Sequence, residues 1–265
     1  VTANSDRLRF VIVDDGDGTG TNHTIREVTN AVSGFNNWDG GFAFWIRGHE
    51  SWPYISIHAA HALTRAKAKG FTVPDEMLNR SKQYLQQIER HIPHYYGPVT
   101  RRMLIAYSLY VRKRMGDLDL AKAHSLFKDA GLKGLSMESI GWLMSVMHGD
   151  AGSKGVLTQM HRYLDNKVSE TAATANWVDG YADDAHLVLH SSRRADAVLL
   201  ASLIEDKAKS DLIPKVVRGL LAHRQKGKWQ NTQENVFVLL AMDDYFQAFE
   251  KDVPASVKEA GPKTN

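Results

Sequence analysis

Four pairs of side chains in this chain have the types and spacing to do chemistry. His58 and His61 stand three residues apart, on one face of any helix that carries them. Two imidazoles so placed bind a metal if a third ligand arrives. His186 and His190, four apart, have the same option. Asp183-Asp184 and Asp243-Asp244 are adjacent carboxylates, and paired acids act as acid and base in glycoside hydrolysis. Each pair also has a plainer reading. No third ligand is evident near either histidine pair, so packing inside a helical array, with each ring hydrogen-bonded, is favoured. Asp183-Asp184 reads as the cap of a following element. Asp243-Asp244 falls late in a helix whose neighbours alternate between core and solvent. Asp14-Asp-Gly-Asp-Gly-Thr-Gly20 spaces its acids somewhat like a calcium loop. The later ligands of an EF-hand are missing, so a surface loop is expected there. No metal and no cofactor is expected.

The chain holds no cysteine, which removes disulfides, thiolate nucleophiles and cysteine-ligated zinc together. Its 265 residues suffice for one large domain with a sizeable core. The net charge is +3. The basic residues are scattered and form no stripe with aromatics, so nucleic acid is not an expected partner. Nothing approaches the roughly 18 consecutive apolar residues of a membrane span. No signal peptide is visible and residue 1 is Val, so the chain reads as a piece of a longer protein whose targeting lies elsewhere.

The elements that must position these residues follow a repeated grammar. Gly227 breaks one helix, Trp229 is an apolar anchor, and Asn231 or Thr232 can cap the next helix. Glu234 stands three residues after Asn231, as in a capping box. Val236, Leu239, Leu240 and Tyr245 then recur at helical spacing. Near the other end, Asp39-Gly-Gly-Phe-Ala-Phe-Trp45 is a glycine turn followed by aromatics. Ser51 is a plausible cap there, Pro53 suits a first turn, and Gly70 closes the helix. One unit used at both ends points to a helical element repeated around a closed or stacked array.

Further helices are expected at Thr24–Gly34, from Pro74 to the stop at Pro93, and at Thr100–Met115, Asp119–Ala130, Ser136–His148 and Ser153–Val168. Others are expected at Ser192–Glu205, Asp211–Gln225 and Asn231–Glu250. Thr171–Leu189 is mixed and polar, and reads as an excursion with room for a short strand pair. Met103, Leu104, Ala106, Tyr107, Leu109 and Tyr110 leave their helix little polar face, as in a helix buried on two sides. The expected fold is all-α, an α/α toroid of antiparallel helical hairpins, with an open helical solenoid as the rival. Residues 1–23 form a poorly defined N-terminal segment, 24–250 the toroid, and 251–265 a linker.

The ordered motifs carry a resemblance. They are Trp38-Asp-Gly-Gly-Phe-Ala-Phe-Trp45, His58-Ala-Ala-His-Ala-Leu63, Gly70-Phe-Thr-Val-Pro74, Leu189-His-Ser-Ser-Arg-Arg-Ala-Asp-Ala197, Ile213-Pro-Lys-Val-Val-Arg-Gly-Leu-Leu221 and Trp229-Gln-Asn-Thr-Gln-Glu-Asn235. The series resembles the thioester domain of the alpha-2-macroglobulin family, in its bacterial branch, from about Thr24 to Tyr245. The resemblance implies a toroid inside a long, secreted or periplasmic multidomain protein that traps proteases. Its partners would be target proteases and neighbouring macroglobulin-type domains of the same chain. In such proteins a protease cuts a bait region, the assembly collapses around it, and an internal thioester tethers it, which is what the resemblance implies here.

The sequence departs from that pattern at one decisive point. The family's thioester joins the Cys and Gln of a Cys-x-Glu-Gln motif, and this chain has no Cys. Either the motif lies just upstream of Val1, as the shortfall of helices against a complete toroid suggests, or the parent belongs to a branch that lost it. Complement-type relatives use a histidine well after the thioester Cys to assist acyl transfer. The comparable connector here is His91-Ile-Pro-His-Tyr-Tyr-Gly97. His94, at the loop apex, is the better candidate for that role, against a plain surface histidine. Trp38, Phe42, Phe44, Trp45 and Trp52 read as core packing or as a face that covers the thioester or docks a neighbouring domain. The expected function is a thioester-type domain in a protease-inhibiting trap, and not an enzyme. The alternatives are a toroidal carbohydrate-active hydrolase using Asp183 or Asp184, and a helical scaffold with no covalent chemistry.

Overall fold

A computed structural model of the protein describes residues 36–44 and 49–251. Residues 1–23, the helix expected at Thr24–Gly34, Trp45 and the tail beyond Lys251 lie outside the described residues. The chain divides into two compact units, with the division between Leu126 and Phe127.

In the first unit, α1 (Pro53–Ala68) begins at Pro53, whose missing N–H is not needed in a first turn. It ends where Gly70 takes φ +87 and Phe71 N donates back to Ala66 O at 3.1 Å. After Pro74, α2 (Asp75–Gln86) opens with Asp75 and Glu76 in its first turn, where acids favour the helix dipole. The run expected to continue to Pro93 breaks at Gln87 (φ −110), and a short helix, α3 (Ile88–His91), carries Ile88 into the core. Next, α4 (Pro98–Arg114) buries nearly its whole circumference from Met103 to Arg112, as its wide apolar arc requires. It packs against α1 and α2. Arg112 is tied to Asp117 (2.8 Å) and Asp119 (3.1 Å) just beyond its helix end. From there α5 (Leu120–Ala130) leads into the second unit.

In the second unit, every residue of α6 (Met137–Met147) is buried, and Ser136 caps it by accepting from Ser139 N at 3.1 Å. After α7 (Lys154–Lys167) come two short antiparallel strands, β1 (Ser169–Glu170) and β2 (Ala175–Asn176), paired Ser169 to Asn176. The excursion thus does contain a strand pair, beginning two residues before the expected stretch. A 3-10 helix (Ala182–Val188) precedes α8 (Ser192–Asp206), which packs on α6 and α10 (Thr232–Tyr245), with α9 (Leu212–Ala222) beside it. The expected run of α9 to Gln225 stops at Ala222, because Gln225 and Lys228 bridge across a turn in which Lys226 and Gly227 both take positive φ. Asn231 caps α10 by accepting from Glu234 N at 2.9 Å, and Glu234 Oε2 reaches back to Gln230 N at 2.9 Å. The capping box is present, shifted one residue in its return bond. Trp229 is the buried anchor, its indole N–H donating to Leu220 O at 2.8 Å. Past Tyr245, α10 continues as one π-helical turn (Phe246–Glu250).

Two glycines set how closely the first unit's turn lies on α2. A Cβ at Gly40, which has φ +87, would run into the carbonyl oxygen of Arg80, and one at Gly41 would lie 2.6 Å from Ser51 Oγ and from Tyr84. Gly155, in α7, has nothing within 4 Å. Gly41→Ala should therefore cost about 1–3 kcal/mol through overpacking, while Gly155→Ala should gain roughly 0.5–1 kcal/mol through lost unfolded-state entropy. Urea unfolding of the two variants tests the opposite signs.

Candidate functional site

The glycine turn of the first unit is heavily cross-linked. Asn37 N donates to Gly41 O at 2.8 Å, and Asn37 Nδ2 donates to Ser51 Oγ at 2.9 Å and to His49 O at 2.8 Å. Ser51 Oγ donates to Asp39 Oδ1 at 2.8 Å, and the same oxygen takes Gly41 N at 2.9 Å. Ser51, expected to cap the helix, holds this turn instead. The N-cap position of α1 falls to Trp52, which makes no side-chain cap bond. The hydroxyl hydrogen goes to the Asp39 carboxylate, and the hydroxyl oxygen, which a cap would offer to a helix amide, takes Asn37 Nδ2 instead.

The aromatics expected to share one face separate. Phe42 is buried in a cluster with Leu63, Val73, Met77 and Leu78. Phe44 and Trp52 pack at 5.4 Å between ring centroids. Trp38 is 86% exposed. The histidines of the connector separate too. His94 is exposed on the loop, as expected, with its ring 5.9 Å from that of Tyr95. His91 closes α3 and is half-buried, its ring stacked on Tyr84 at 3.9 Å and 16°. Burial holds His91 below its ordinary value, while the Asp39 carboxylate acts in the opposite direction. The fold therefore sets His91, rather than His94, beside the glycine turn. Sequence missed this because His91 reads as an ordinary residue of a helix end.

His58 and His61 do lie together, on one hydroxyl. Both Nδ1 atoms meet the hydroxyl of Tyr107, at 3.1 and 3.0 Å. His58 stacks on Tyr54 at 5.8 Å. His61 is fully buried, and burial first, then the charge of Arg114, holds its pKa well below the ordinary value. These are packed, hydrogen-bonded rings, as the plainer reading expected. No cluster of metal-ligating side chains occurs among the described residues.

In the second unit the chemistry gathers around Glu138 and Arg194, whose side chains are both 0% exposed. Arg194 Nε donates to Glu138 Oε1 at 2.5 Å and Nη2 to Oε2 at 3.1 Å. Arg194 Nη1 donates to Val188 O at 2.7 Å and Leu189 O at 3.0 Å. Tyr181 OH donates to Glu138 Oε2 at 2.5 Å, with Ser136 Oγ 2.8 Å from it. Asp179 Oδ2 accepts from Glu138 N at 3.4 Å, over the N-terminus of α6. Burial, and then the Glu138 charge, push the Asp179 carboxyl up to about 7. Asp196 Oδ1 accepts Trp177 N at 2.8 Å, and burial pushes that carboxyl up to about 6.

His186 and His190 do not share a helix face. His186 is exposed on the 3-10 helix, where its Nδ1 bonds Asp183 O at 2.8 Å. Leu189, at φ 48, then turns the chain, and His190 packs edge-on against Tyr181 at 5.0 Å. Asp183 and Asp184 open that 3-10 helix, and Asp243 and Asp244 are half-buried late in α10. A second cluster was invisible in sequence. Asp206 bridges His148 Nδ1 (2.8 Å) and His161 Nε2 (2.6 Å).

No protein-family model matches the chain. It is 26% identical over 239 residues to an alpha-2-macroglobulin homolog of a Nostoc species, covering 85% of this chain and 12% of that protein. It is 22% identical over 241 residues to circularly permutated Ras protein 2 of Dictyostelium discoideum, covering 82% of this chain and 6% of that protein. Among solved structures, Escherichia coli alpha-2-macroglobulin activated by porcine elastase matches with TM-score 0.65 and 19% identity, over 87% of this chain and 20% of that one. Salmonella alpha-2-macroglobulin reacted with methylamine matches with TM-score 0.63 and 19% identity, over 80% and 14%. The chain thus spans a small fraction of the length of the proteins it matches. The alpha-2-macroglobulin resemblance carried by the motifs is met by a curated homologue and by bacterial structures that share the all-α fold.

An imidazole held below its ordinary value stays neutral in the fold, while the unfolded chain still takes a proton at about 6.5. Its stabilising contribution is full above that value and is lost as pH falls through the folded one. Through His61, protection of α1 and α4 in hydrogen exchange should fall from pH 7 to pH 5, and through His91, stacked on Tyr84, so should protection of α2. His91→Phe keeps a ring on Tyr84 and removes one titrating group, so the acid loss should shrink. An unchanged pH slope would exclude His91.

Proposed function

We propose that this chain is the thioester-type domain of a bacterial alpha-2-macroglobulin homologue, working in a secreted or periplasmic protease trap rather than as an enzyme. The observation that carries the reading is where the family-like motifs fall in the fold. Trp38–Trp45 forms, in its described part, the turn locked to α2. His58 and His61 close on Tyr107. Gly70–Pro74 joins α1 to α2. Leu189–Ala197 supplies the buried arginine. In α9, Gly219 lets the helix approach the carbonyl of Ala175, which a Cβ would meet at 2.9 Å. Trp229–Asn235 is the cap of α10. The match to a bacterial structure over 87% of the chain supports the same reading.

The function then belongs to the parent protein. This chain has no cysteine, so its part in a covalent trap would be to shelter and orient a thioester whose Cys lies outside it. The exposed ring of Trp38 on the glycine turn would serve as a docking contact for a neighbouring macroglobulin-type domain. His91 and His94 are the side chains available to assist acyl transfer. The hydrolase alternative gains nothing from the cleft of about 320 Å³ beside α1, α2 and α4. Its walls include Lys67, Lys82 and Arg114 with Asp75 as the one carboxylate, and no aromatic ring, which is not how a groove for sugar hydrolysis is built. Among the described residues, no helix is long and apolar enough to cross a membrane.

The test uses the intact parent protein with trypsin or elastase. The expected outcome is protease retained at high mass, in a band resistant to denaturant and abolished by prior methylamine if a thioester precedes this domain. Retention only under native conditions would mean a trap without covalent tethering. No retention in either form would overturn the proposal.

A further inference from the structure

We propose that the turn at residues 223–228 is a contact for an anionic membrane surface, a layer of phosphate headgroups. Along most of the chain the two signs of charge alternate, but not here. Between Asp211 and Glu234 lie Lys215, Arg218, Arg224, Lys226 and Lys228, with no Asp or Glu among them. The whole chain carries only +3, so the rest of it is net negative.

The fold uses two of these cations internally. Lys215 pairs with Glu170 of β1, and Arg218 Nε donates to Ala173 O at 2.6 Å, so both tie α9 to the strand pair. The other three gather at one tip. Gln225 and Lys228 exchange both backbone hydrogen bonds, at 2.9 and 3.1 Å, across a two-residue loop. Its central residues, Lys226 at φ 50 and Gly227 at φ 86, supply the positive φ pair of a type I′ hairpin. The Arg224 guanidinium lies over the Trp229 ring, 5.6 Å from its centroid, and Nη2 is 3.8 Å from where a Cβ on Gly227 would sit. A cation–π contact on a buried ring holds that charge against the turn. Every residue from Leu221 to Lys228 is exposed, and among the described residues Lys226 and Lys228 make no ion pair.

The turn itself does not call for Lys226. Asn or Gly takes positive φ at that position with little strain, whereas a long side chain is strained there. Like charges on one short turn also repel. No contact within the fold offsets either cost, and an anion outside it offsets the second directly. The shape of the tip selects the kind of anion. Small anions are held by donors converging on a concavity, and this turn is exposed along its whole length. Single-stranded nucleic acid calls for open aromatic rings on which bases stack, and Trp229 is buried. A projecting basic turn suits a flat layer of phosphates, where each Lys or Arg near the surface raises partitioning about fivefold. Leu221, 45% exposed at the end of α9, adds an apolar side chain that can enter the headgroup boundary. Nothing in this contact depends on the parent's trapping a protease.

Co-sedimentation of the full chain at low salt tests this, with vesicles of mixed phosphatidylglycerol and phosphatidylcholine set against phosphatidylcholine alone. Binding is expected to the mixed vesicles only, and should fall steeply with added salt. Lys226→Gln combined with Lys228→Gln should weaken it about 25-fold. Lys128→Gln combined with Lys133→Gln removes the same charge from exposed lysines elsewhere, and should weaken it by about twofold at most. Lys226→Asn separates charge from backbone. Its urea midpoint should hold or rise, because Asn suits positive φ, while vesicle binding falls about fivefold. Equal losses in the two double variants would overturn the proposal, since net charge alone would then be at work. Release by inorganic phosphate but not by chloride at equal ionic strength would replace the membrane with a free anion. Binding to polyglutamate and not to the mixed vesicles would replace it with an acidic protein. No binding to any of these probes would overturn the proposal outright.

Discussion

The second unit depends on one interaction, the buried pair of Arg194 and Glu138. Both side chains are wholly out of water, and desolvating two charges is worthwhile only if every remaining donor and acceptor is met. Here the guanidinium is used on the carboxylate and on two carbonyls, and the carboxylate also takes the Tyr181 hydroxyl. The pair therefore fixes more than two helices. It fixes the path of the chain that leads into α8, because the carbonyls it satisfies belong to the turn at Leu189. Replacing one partner would strand a buried charge, which is far more costly than removing both.

The neighbouring residues of α8 extend the same logic. Ser191 donates to Glu234 at the start of α10, and Asp196 takes the backbone of Trp177 while pairing with Arg193 at 2.8 Å. A single run of side chains thus joins α6, α8, α10 and the segment after β2. Burial first, and for Asp179 then the neighbouring Glu138 charge, pushes Asp179 and Asp196 toward neutrality. The cluster is a structural centre whose protonation matters.

The first unit is held differently. A neutral hydroxyl, Tyr107, takes the place that a cation has in the second unit and receives two imidazoles from α1. The turn at Asp39 is bound by short-range polar bonds and pressed onto α2 by glycines that leave no room for a side chain. Such a turn presents Trp38 to solvent on a rigid base, as suits a docking element.

The local grammar was legible in the sequence. Pro53, Gly70, Pro74, Ser136 and Asn231 start or stop helices where they should, because capping and φ restrictions act over a few residues. The wide apolar arc of α4 announced its burial, and the histidine pair at His58 and His61 was correctly read as packing. Other features were settled only in three dimensions. Ser51 left its helix for Asp39, and His91 rather than His94 came to rest beside the glycine turn. His186 and His190 lost their common face to a left-handed residue between them. Glu138 reads as a first-turn acid favoured by the helix dipole, and nothing nearby points to Arg194, 56 residues further along. Periodicity and caps report what a residue does to its own element. Which buried charge meets which depends on how elements pack, and no local pattern carries that.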